Sequence, residues 1–532
     1  MASSTKRGQI WKADWFVGVL VVLAVLLVYA FSDIFATMER RYYDFASTST
    51  SRQPSDRIAI IAIDDQSIAN IGRWPWTRDV HAKLIDMLAA ANAKTIAYDV
   101  FFSEPQTDRG LTYIRKMKDV LAPPADGAAP AAADVNANAN AAASVAAAPV
   151  ATSADAQALR DQLNKIIGEA EVGLDTDALL AASMKKAGNV VIPSLFVLGE
   201  PLGKPDNQLP TFALKSSIDD QGNFSVPAIK GQQPIDAIGI AAAGVAHLNP
   251  ILDNDGAVRR EPLLVDYYGK AIPSMSLLVA AKSLNLEVSD IHIDPGKSVQ
   301  IGKLKIGTDE SALMLPQFYK EKDGKPAFAV DSFYDVMTGK IPMSKYTGKI
   351  VIIGPTAAGL GTLFPTPAGA SLSPAEIMAH ITSSILSEHF IVQPGWGWLV
   401  KIGAILLVAA YLIAGLPRLS AGKAALVTLS LFVVMLLAEF SLLSVSAIWL
   451  QFVFSASLLV IGHLALTTKR FLMTEAGKQK SDEESAETNR MMGLALQGQG
   501  QLDAAFDRFR RVPFSDSLMD NMNNLALDFE RK

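Results

Sequence analysis

The chain has 532 residues, half of them hydrophobic, with 48 Lys and Arg against 53 Asp and Glu for a net charge of −5. A mean hydropathy of +0.24 is too high for an ordinary soluble enzyme, and the acidic balance argues against a nucleic-acid binder. The absence of cysteine excludes disulfides, thiolate metal ligands and cysteine nucleophiles, and the six histidines form no pair at ligand spacing.

Residues 1–14 are polar, with Lys6, Arg7 and Lys12, and Trp15–Phe31 is an apolar run at the short end of what spans a bilayer. Ala30-Phe31-Ser32 would suit a signal-peptide cleavage site, but the run exceeds a typical signal core, so an uncleaved membrane helix over 15–31 is the reading favoured. Asp33–Phe45 continues as a short amphipathic connector. The stretch IAIIAIDDQSIANIGRWPWTRDVHAKLIDML, Ile58 to Leu88, then carries an apolar run into paired aspartates, a Trp-Pro-Trp between arginines, and a helical pattern. Continuous apolar runs predict strands over Ile58–Ile63, Thr95–Phe102, Asn189–Val197 and Lys349–Gly354. Helices are expected over Val80–Ala91, Asp177–Ala187 and Asp331–Met337. Two hairpin-like pairs are expected as well, Gly244–Asn249 with Val258–Asp266 and Val299–Ile306 with Ala312–Phe318. Residues 32–395 therefore read as an α/β domain, mostly parallel sheet with antiparallel additions.

Inside that domain, 123–155 is alanine, proline and asparagine with almost no large apolar side chain. It buries too little surface to offset ordering, which predicts a disordered insertion. Three further membrane spans are expected at 396–416, 424–445 and 447–466. Lys and Arg cluster at the N-terminus, at Arg418–Lys423 and from Lys469 to Lys480, while Ser444-Val445-Ser446 is uncharged. The positive-inside rule then places both ends of the chain in the cytoplasm and 32–395 outside, with Arg40 and Arg41 discordant. Lys401 and Glu439 are the formally charged residues inside the spans, at matching depth below the outer edge, which predicts an ion pair. A snorkelling Lys401 with a protonated Glu439 fits the same pattern. In the polar segment 467–532, Ser485–Gln499 and Leu502–Arg511 read as a helix pair resembling a tetratricopeptide repeat, with Ser515–Arg531 opening another. One repeat cannot bury its own face, so either a partner completes the array or the chain is a portion of a longer one.

Ligands of open parallel sheets bind beyond the carboxyl ends of the strands. Asp64 and Asp65 leave the first strand, Asp99 ends the second, and Thr356 and Gly359 leave the last, which makes them candidate ligand contacts. Arg73 and Arg78 suit an anion, and Trp74 and Trp76 a flat or sugar-like group. The same residues also suit a strut, with aspartates ending a strand, tryptophans packed over the following helix and Arg78 paired with Asp65. Asp253 to Gly256 has calcium-like spacing without the downstream glutamate, and reads as a hairpin turn. The segment GPTAAGLG lacks the Lys-Ser/Thr of a nucleotide loop and reads as a glycine-rich turn. His81 and His380 are expected on the surface or in the core. No catalytic motif appears, and no metal or cofactor is expected.

Four blocks, the Ile58–Leu88 stretch, TIAYDVFFSEP, AHLNPILDNDGAVRREPLLVDYYGKAIPSMSLLVA and GKIVIIGPTAAGLGTLFPTP, together resemble the CHASE sensory domain of the second type. The resemblance runs from about Arg40 to Pro394 apart from the insertion, and one helix before the domain with three after it is also that family's layout. It implies a bacterial inner-membrane receptor with a periplasmic sensor, non-catalytic itself, that serves a cytoplasmic kinase or cyclase. Partners so implied are the lipid bilayer, an unidentified extracytoplasmic ligand or envelope protein, and that output, with a homodimer as one arrangement. Competing readings are the membrane half of a serine/threonine kinase or nucleotide cyclase continuing beyond Lys532, and a non-signalling structural envelope protein. The family often has an aspartate where Thr362 stands here, and a histidine where Met378 stands.

Overall fold

Six consecutive apolar residues, Ile58–Ile63, form strand β1, and all are buried, as a strand covered on both faces requires. Thr95–Tyr98 (β2), Val190–Leu198 (β3), Gly244–His247 (β4), Val330–Ser332 (β5) and Ile350–Pro355 (β6) join it in parallel, in the order β5-β1-β6-β2-β3-β4. These elements come from a computed structural model describing residues 13–106, 108–121, 153–220, 224–322 and 324–531. The expected insertion over 123–155 lies outside the described residues up to 152. From Ser153 the chain is helical as far as Leu174.

Two strand pairings differ from expectation. Gly244–His247 does not fold back on Val258–Asp266; it runs parallel to β3, with Val191 opposite Gly244. All four of its residues are buried, and a place beside β3 covers both of its faces where a hairpin would cover one. Val258–Pro262 pairs instead with Ile251–Leu252 and Leu313–Pro316. Likewise Ser298–Ile301 turns back on Leu304–Gly307 rather than on Ala312–Phe318. Gly302, at φ 57, makes the two-residue turn that favours this local partner. The Asp331–Met337 pattern also splits, its first residues serving as β5 and Phe333–Met337 as a short helix.

The helix Pro374–Leu386 is set by its sequence start. Ser373 and Glu376 form a reciprocal capping box ahead of a proline at the first turn. Ten of its residues are buried, and its faces enter different cores. Ala375, Met378 and Ala379 pack with Ile60, Ile350 and Ile352 of the parallel sheet, and Ile377, Ile381 and Ile385 with Val258, Leu277 and Met314. A helix buried on this many sides is enclosed, its His380, Thr382, Ser383 and Ser384 included, and it is the wedge between the two layers.

Arg259 ties the connector helix Ile34–Thr48 to this domain. The guanidinium, 5% exposed, donates to both Asp44 oxygens at 2.7 and 2.8 Å, to Asp253 at 2.8 Å and to both Asp255 oxygens at 2.8 Å. Burial works against its charge, but the hydrogen bonds it donates to Asp44, Asp255 and Asp253 outweigh that and hold it more firmly protonated than usual. The aspartates of the calcium-like turn thus serve a cation of the chain itself. Beside them Tyr43, Ala46, Leu315, Ile391, Leu443, Ala447 and Trp449 form one apolar cluster.

The second unit comprises 1–40, 396–439 and 450–532. With the segment that joins its parts, four helices among the described residues are long and apolar enough to cross a membrane: Asp14–Phe31, Gly397–Arg418, Ala421–Ser446 and Val453–Gly498. At one end Asp14 meets Lys469 at 2.5 Å and Arg470 at 3.7 Å, and Arg470 donates to the Leu416 and Leu419 carbonyls. Midway, Tyr411 and His463 both hydrogen-bond Thr428. At the other end the expected Lys401–Glu439 ion pair is not formed. Lys401 donates to Gln451 Oε1 at 2.7 Å, with the Tyr29 ring 5.5 Å away, and Glu439 accepts from Phe452 N at 2.9 Å. The reason is the chain between the third and fourth helices, which presents a side-chain acceptor and a helix-terminal amide nearer to hand. Arg40, discordant by the positive-inside rule, is paired with Asp33 at 2.5 Å. The fourth helix also differs from expectation: it starts at Val453 and continues for 46 residues where a membrane span and a separate helix were expected. Leu502–Phe509 then folds back with Phe509 against Gly493, and Asp516–Arg531 adds a third helix.

Replacing Arg259 by Met leaves three carboxylates clustered without their cation. The change should lower stability by roughly 3–5 kcal/mol, and Arg259→Lys by less, because lysine keeps the charge but not the fork. Thermal or denaturant unfolding of the purified chain measures both, and indifference to Arg259→Met would contradict the anchoring role.

Candidate functional site

The loop after β1 is built from contacts within the domain. Asp64 caps the helix Asp65–Ile71, its Oδ1 accepting from Ser67 N at 2.8 Å, Ser67 Oγ at 2.5 Å and Ser332 Oγ at 2.9 Å. Trp76 is buried, donates its indole N–H to the Gly72 carbonyl at 2.8 Å, and packs on Phe333, with Trp74 edge-on to it. Arg78 does not reach for Asp65. It lies over the Phe102 ring and bonds Asp177 and the Glu104 carbonyl. Asp65 and Arg73 are exposed. The amides of Thr356 and Ala357 both donate to Ile63 O, which turns them away from any anion, and Gly359 supplies a left-handed turn at φ 85. His81 is a core residue bonded to Tyr98 Oη at 2.7 Å, and burial pushes its pKa down to about 3. His380 is also buried, accepts from Tyr319 N, and is pushed down to about 3. The loop therefore has the contacts of a strut over the carboxyl edge of the sheet.

Asp99 ends β2 beside Gly354. It is buried, and its Oδ2 has no hydrogen-bond partner among the described residues. Burial pushes its carboxyl up to about 8.

Two residues further on, at Phe101, the chain reaches a cavity of about 350 Å³. Its floor is the carboxyl edge of the parallel sheet, through Leu248, Asn249 and Pro250 after β4. One wall is the helix Pro374–Leu386, through Ile377, Met378 and Ile381, and the segment after β6 contributes Thr362 and Phe364. The opposite side is Val258, Glu261 and Ser276. Asn249 is occupied by the backbone of Phe196, accepting from its N–H and donating to its carbonyl. Glu261 is half-buried and lines the cavity. Enclosure pushes its carboxyl up to about 8, with the Ser274 and Ser276 hydroxyls pulling the other way. This is a mostly apolar, preformed recess with few polar groups, at the place where parallel sheets bind ligands.

Comparison with protein families matches the CHASE2 domain over residues 19–416. The chain belongs to the CHASE2 domain family. Comparison with the curated proteins and with the solved structures found no match. CHASE2 is a sensing domain rather than a catalytic one, and the match extends into the first and second apolar helices. Within this CHASE2 domain, Thr362 and Met378, the two positions singled out in the sequence, both line the cavity. The nine candidate contacts, by contrast, frame the sheet edge, and none lines it. Glu261 went unnoticed in the sequence because its neighbours Arg259 and Arg260 give the strand the look of an exposed charged edge.

Two measurements follow from this geometry. Asp64→Ala removes a helix cap and the acceptor of two hydroxyls, and should cost about 1–2 kcal/mol in an unfolding titration. Asp99 in the folded chain holds its proton to about pH 8 against an ordinary value of 3.8, so the folded state binds more protons between those limits. The contribution of Asp99 to stability is then greatest below that window and falls as pH rises through it, by at most about 1.4 kcal/mol per pH unit. Asp99→Asn should gain on the native chain as pH climbs across the window; parallel melting curves from acid to alkaline pH would refute the assignment.

Proposed function

We propose that this chain is a multi-pass receptor of a bacterial inner membrane whose CHASE2 domain lies in the periplasm, binds a small ligand in the cavity, and passes occupancy to a cytoplasmic output. The observation that carries this reading is the continuity of the cavity wall with the segments leading to the membrane helices. The helix Pro374–Leu386 ends three residues before the strand Phe390–Ile391, and Val392 follows at once. Val392 N donates to Ala447 O at 2.8 Å, and Trp449 N donates to Val392 O at 3.1 Å. Arg52 adds a bond to the Val445 carbonyl, and Tyr43 packs on Trp449 at 4.6 Å between ring centroids. The segments that follow the first membrane helix, precede the second and precede the fourth thus share one junction. A shift in the wall reaches all three, which is what differential binding to two states needs.

The orientation rests on the basic residues at Lys469, Arg470 and Arg418 and on the packing of Leu443–Trp449 with the sensor, which puts that connection on the sensor's side. In this reading Asp64, Asp65, Arg73, Trp74, Trp76, Arg78, Asp99, Thr356 and Gly359 hold the sheet edge in shape around the site. The C-terminal helices, tetratricopeptide-like in pattern, offer a docking face for a kinase or cyclase.

A reporter enzyme that works only outside the cytoplasm should be active when fused at Asp206 and silent at Lys480; the reverse would overturn the orientation. For coupling, Met378→Trp fills the cavity from its own wall. Hydrogen exchange at the Val392 and Trp449 amides should then change by about tenfold or more. Unchanged exchange at both would separate the cavity from the junction and end this reading.

A further inference from the structure

The cavity contains an acid without a counter-ion. Among the described residues no Lys, Arg or His forms an ion pair with Glu261, and the nearby Arg259 is fully engaged by Asp44, Asp253 and Asp255. The groups that act on the Glu261 carboxyl are the Ser274 and Ser276 hydroxyls and the enclosure itself. A carboxyl in such surroundings gains most from a cation, because a charge removed from water is stabilised chiefly by its opposite. Phe101 and Phe364 line the same space. Aromatic faces attract ammonium groups, and acid with aromatic rings is a recurring way to hold them. The rest of the lining, including Leu195, Ile377 and Ile381, is aliphatic and offers an apolar body nothing but contact area.

We propose that the cavity is a receptor site for a small organic cation, an amine whose ammonium is held by Glu261 against the Phe101 and Phe364 rings and whose apolar body fills the space beside the helix Pro374–Leu386. This rests on the sensing reading above and specifies the chemical class that the site selects. An anionic ligand finds no cation in the recess, and a neutral one leaves the carboxyl protonated, whereas an ammonium favours its ionised form. Thr362 stands exposed at the rim, where it meets the polar side of a ligand as it enters.

The test uses the full chain in lipid nanodiscs, since detergent monomers would compete for an apolar recess, with calorimetric titration of three matched probes: 4-phenylbutylamine, 4-phenylbutanol and 4-phenylbutanoate. The amine should bind tightest, by about tenfold or more over the alcohol, with the carboxylate weakest. Glu261→Gln, nearly isosteric, should abolish the amine's advantage and leave alcohol binding as it was. Alcohol binding equal to amine binding in the native chain, or an amine preference that survives Glu261→Gln, would overturn the cation assignment while leaving the cavity a ligand site. Should none of the three bind at up to about 10 mM, the cation assignment and the cavity-based reading both fail. The comparison among probes needs only the native chain, so it decides the matter even if the variant folds poorly.

Discussion

One guanidinium decides where the chain enters and leaves the sensor. Arg259 lies between the helix that follows the first membrane span and the turn that carries Asp253 and Asp255, and it satisfies oxygens from both. Three carboxylates around a single buried cation would repel one another without it, so the arrangement holds only as a whole. Lysine could not replace it, because one ammonium cannot present a planar fork to two carboxylates at once. With Asp44 fixed, Tyr43 and Ala46 are fixed too, and they complete the apolar cluster that receives Ile391, Ala447 and Trp449. Within this unit the helix end at Tyr43–Ala46, the strand at Ile391 and the segment Leu443–Trp449 are therefore held by one polar clamp and one apolar plug, side by side.

Everything the cavity does depends on the wedge helix above it. Its two faces belong to two cores, one beneath the parallel sheet and one within the antiparallel layer. A buried helix between two packed layers cannot shift on one side without loosening the other, because interiors are close-packed. The recess lies beside Ile377, Met378 and Ile381 of this helix and meets Val258 on its other side. The strut built from Asp64, Trp76 and Arg78 braces the same sheet at the end of β1, away from the cavity lining.

The sequence disclosed the interior of this fold far better than its partnerships. β1 and β6 are unbroken apolar runs because both of their faces are covered, and that pattern needs no knowledge of neighbours. Pairing is another matter. Gly244–His247 finds β3 across some fifty residues of chain, and nothing local distinguishes that partner from the strand that follows it. The same holds for side chains: Arg78 takes Asp177, 99 residues away, over Asp65 nearby. Asp64 was visible as the end of a strand, and its capping role was implicit in a short acidic residue ahead of a helix. The cavity was hardest of all, because its lining comes from separate segments and its one acid sits in a run of charges that reads as surface. Lys401 and Glu439 stood out in the sequence as charged residues within apolar spans, but not for the partners they take. Their partners, Gln451 and the Phe452 amide, belong to an irregular turn at positive φ that no periodicity reveals.

The fourth helix is an uninterrupted rod. At 1.5 Å per residue its 46 residues reach about 69 Å from Val453 to Gly498. Glu439 grips the amide just ahead of its first residue, while the other end is joined to Phe509 through Gly493. A pivot of only about 5° at the gripped end would carry the far end sideways by roughly 6 Å, enough to swap one set of side-chain contacts for the next. Amplification of this kind needs no hinge, no unfolding and no sliding of one span past another. It asks only that the rod stay stiff, which is what a helix without proline from end to end supplies.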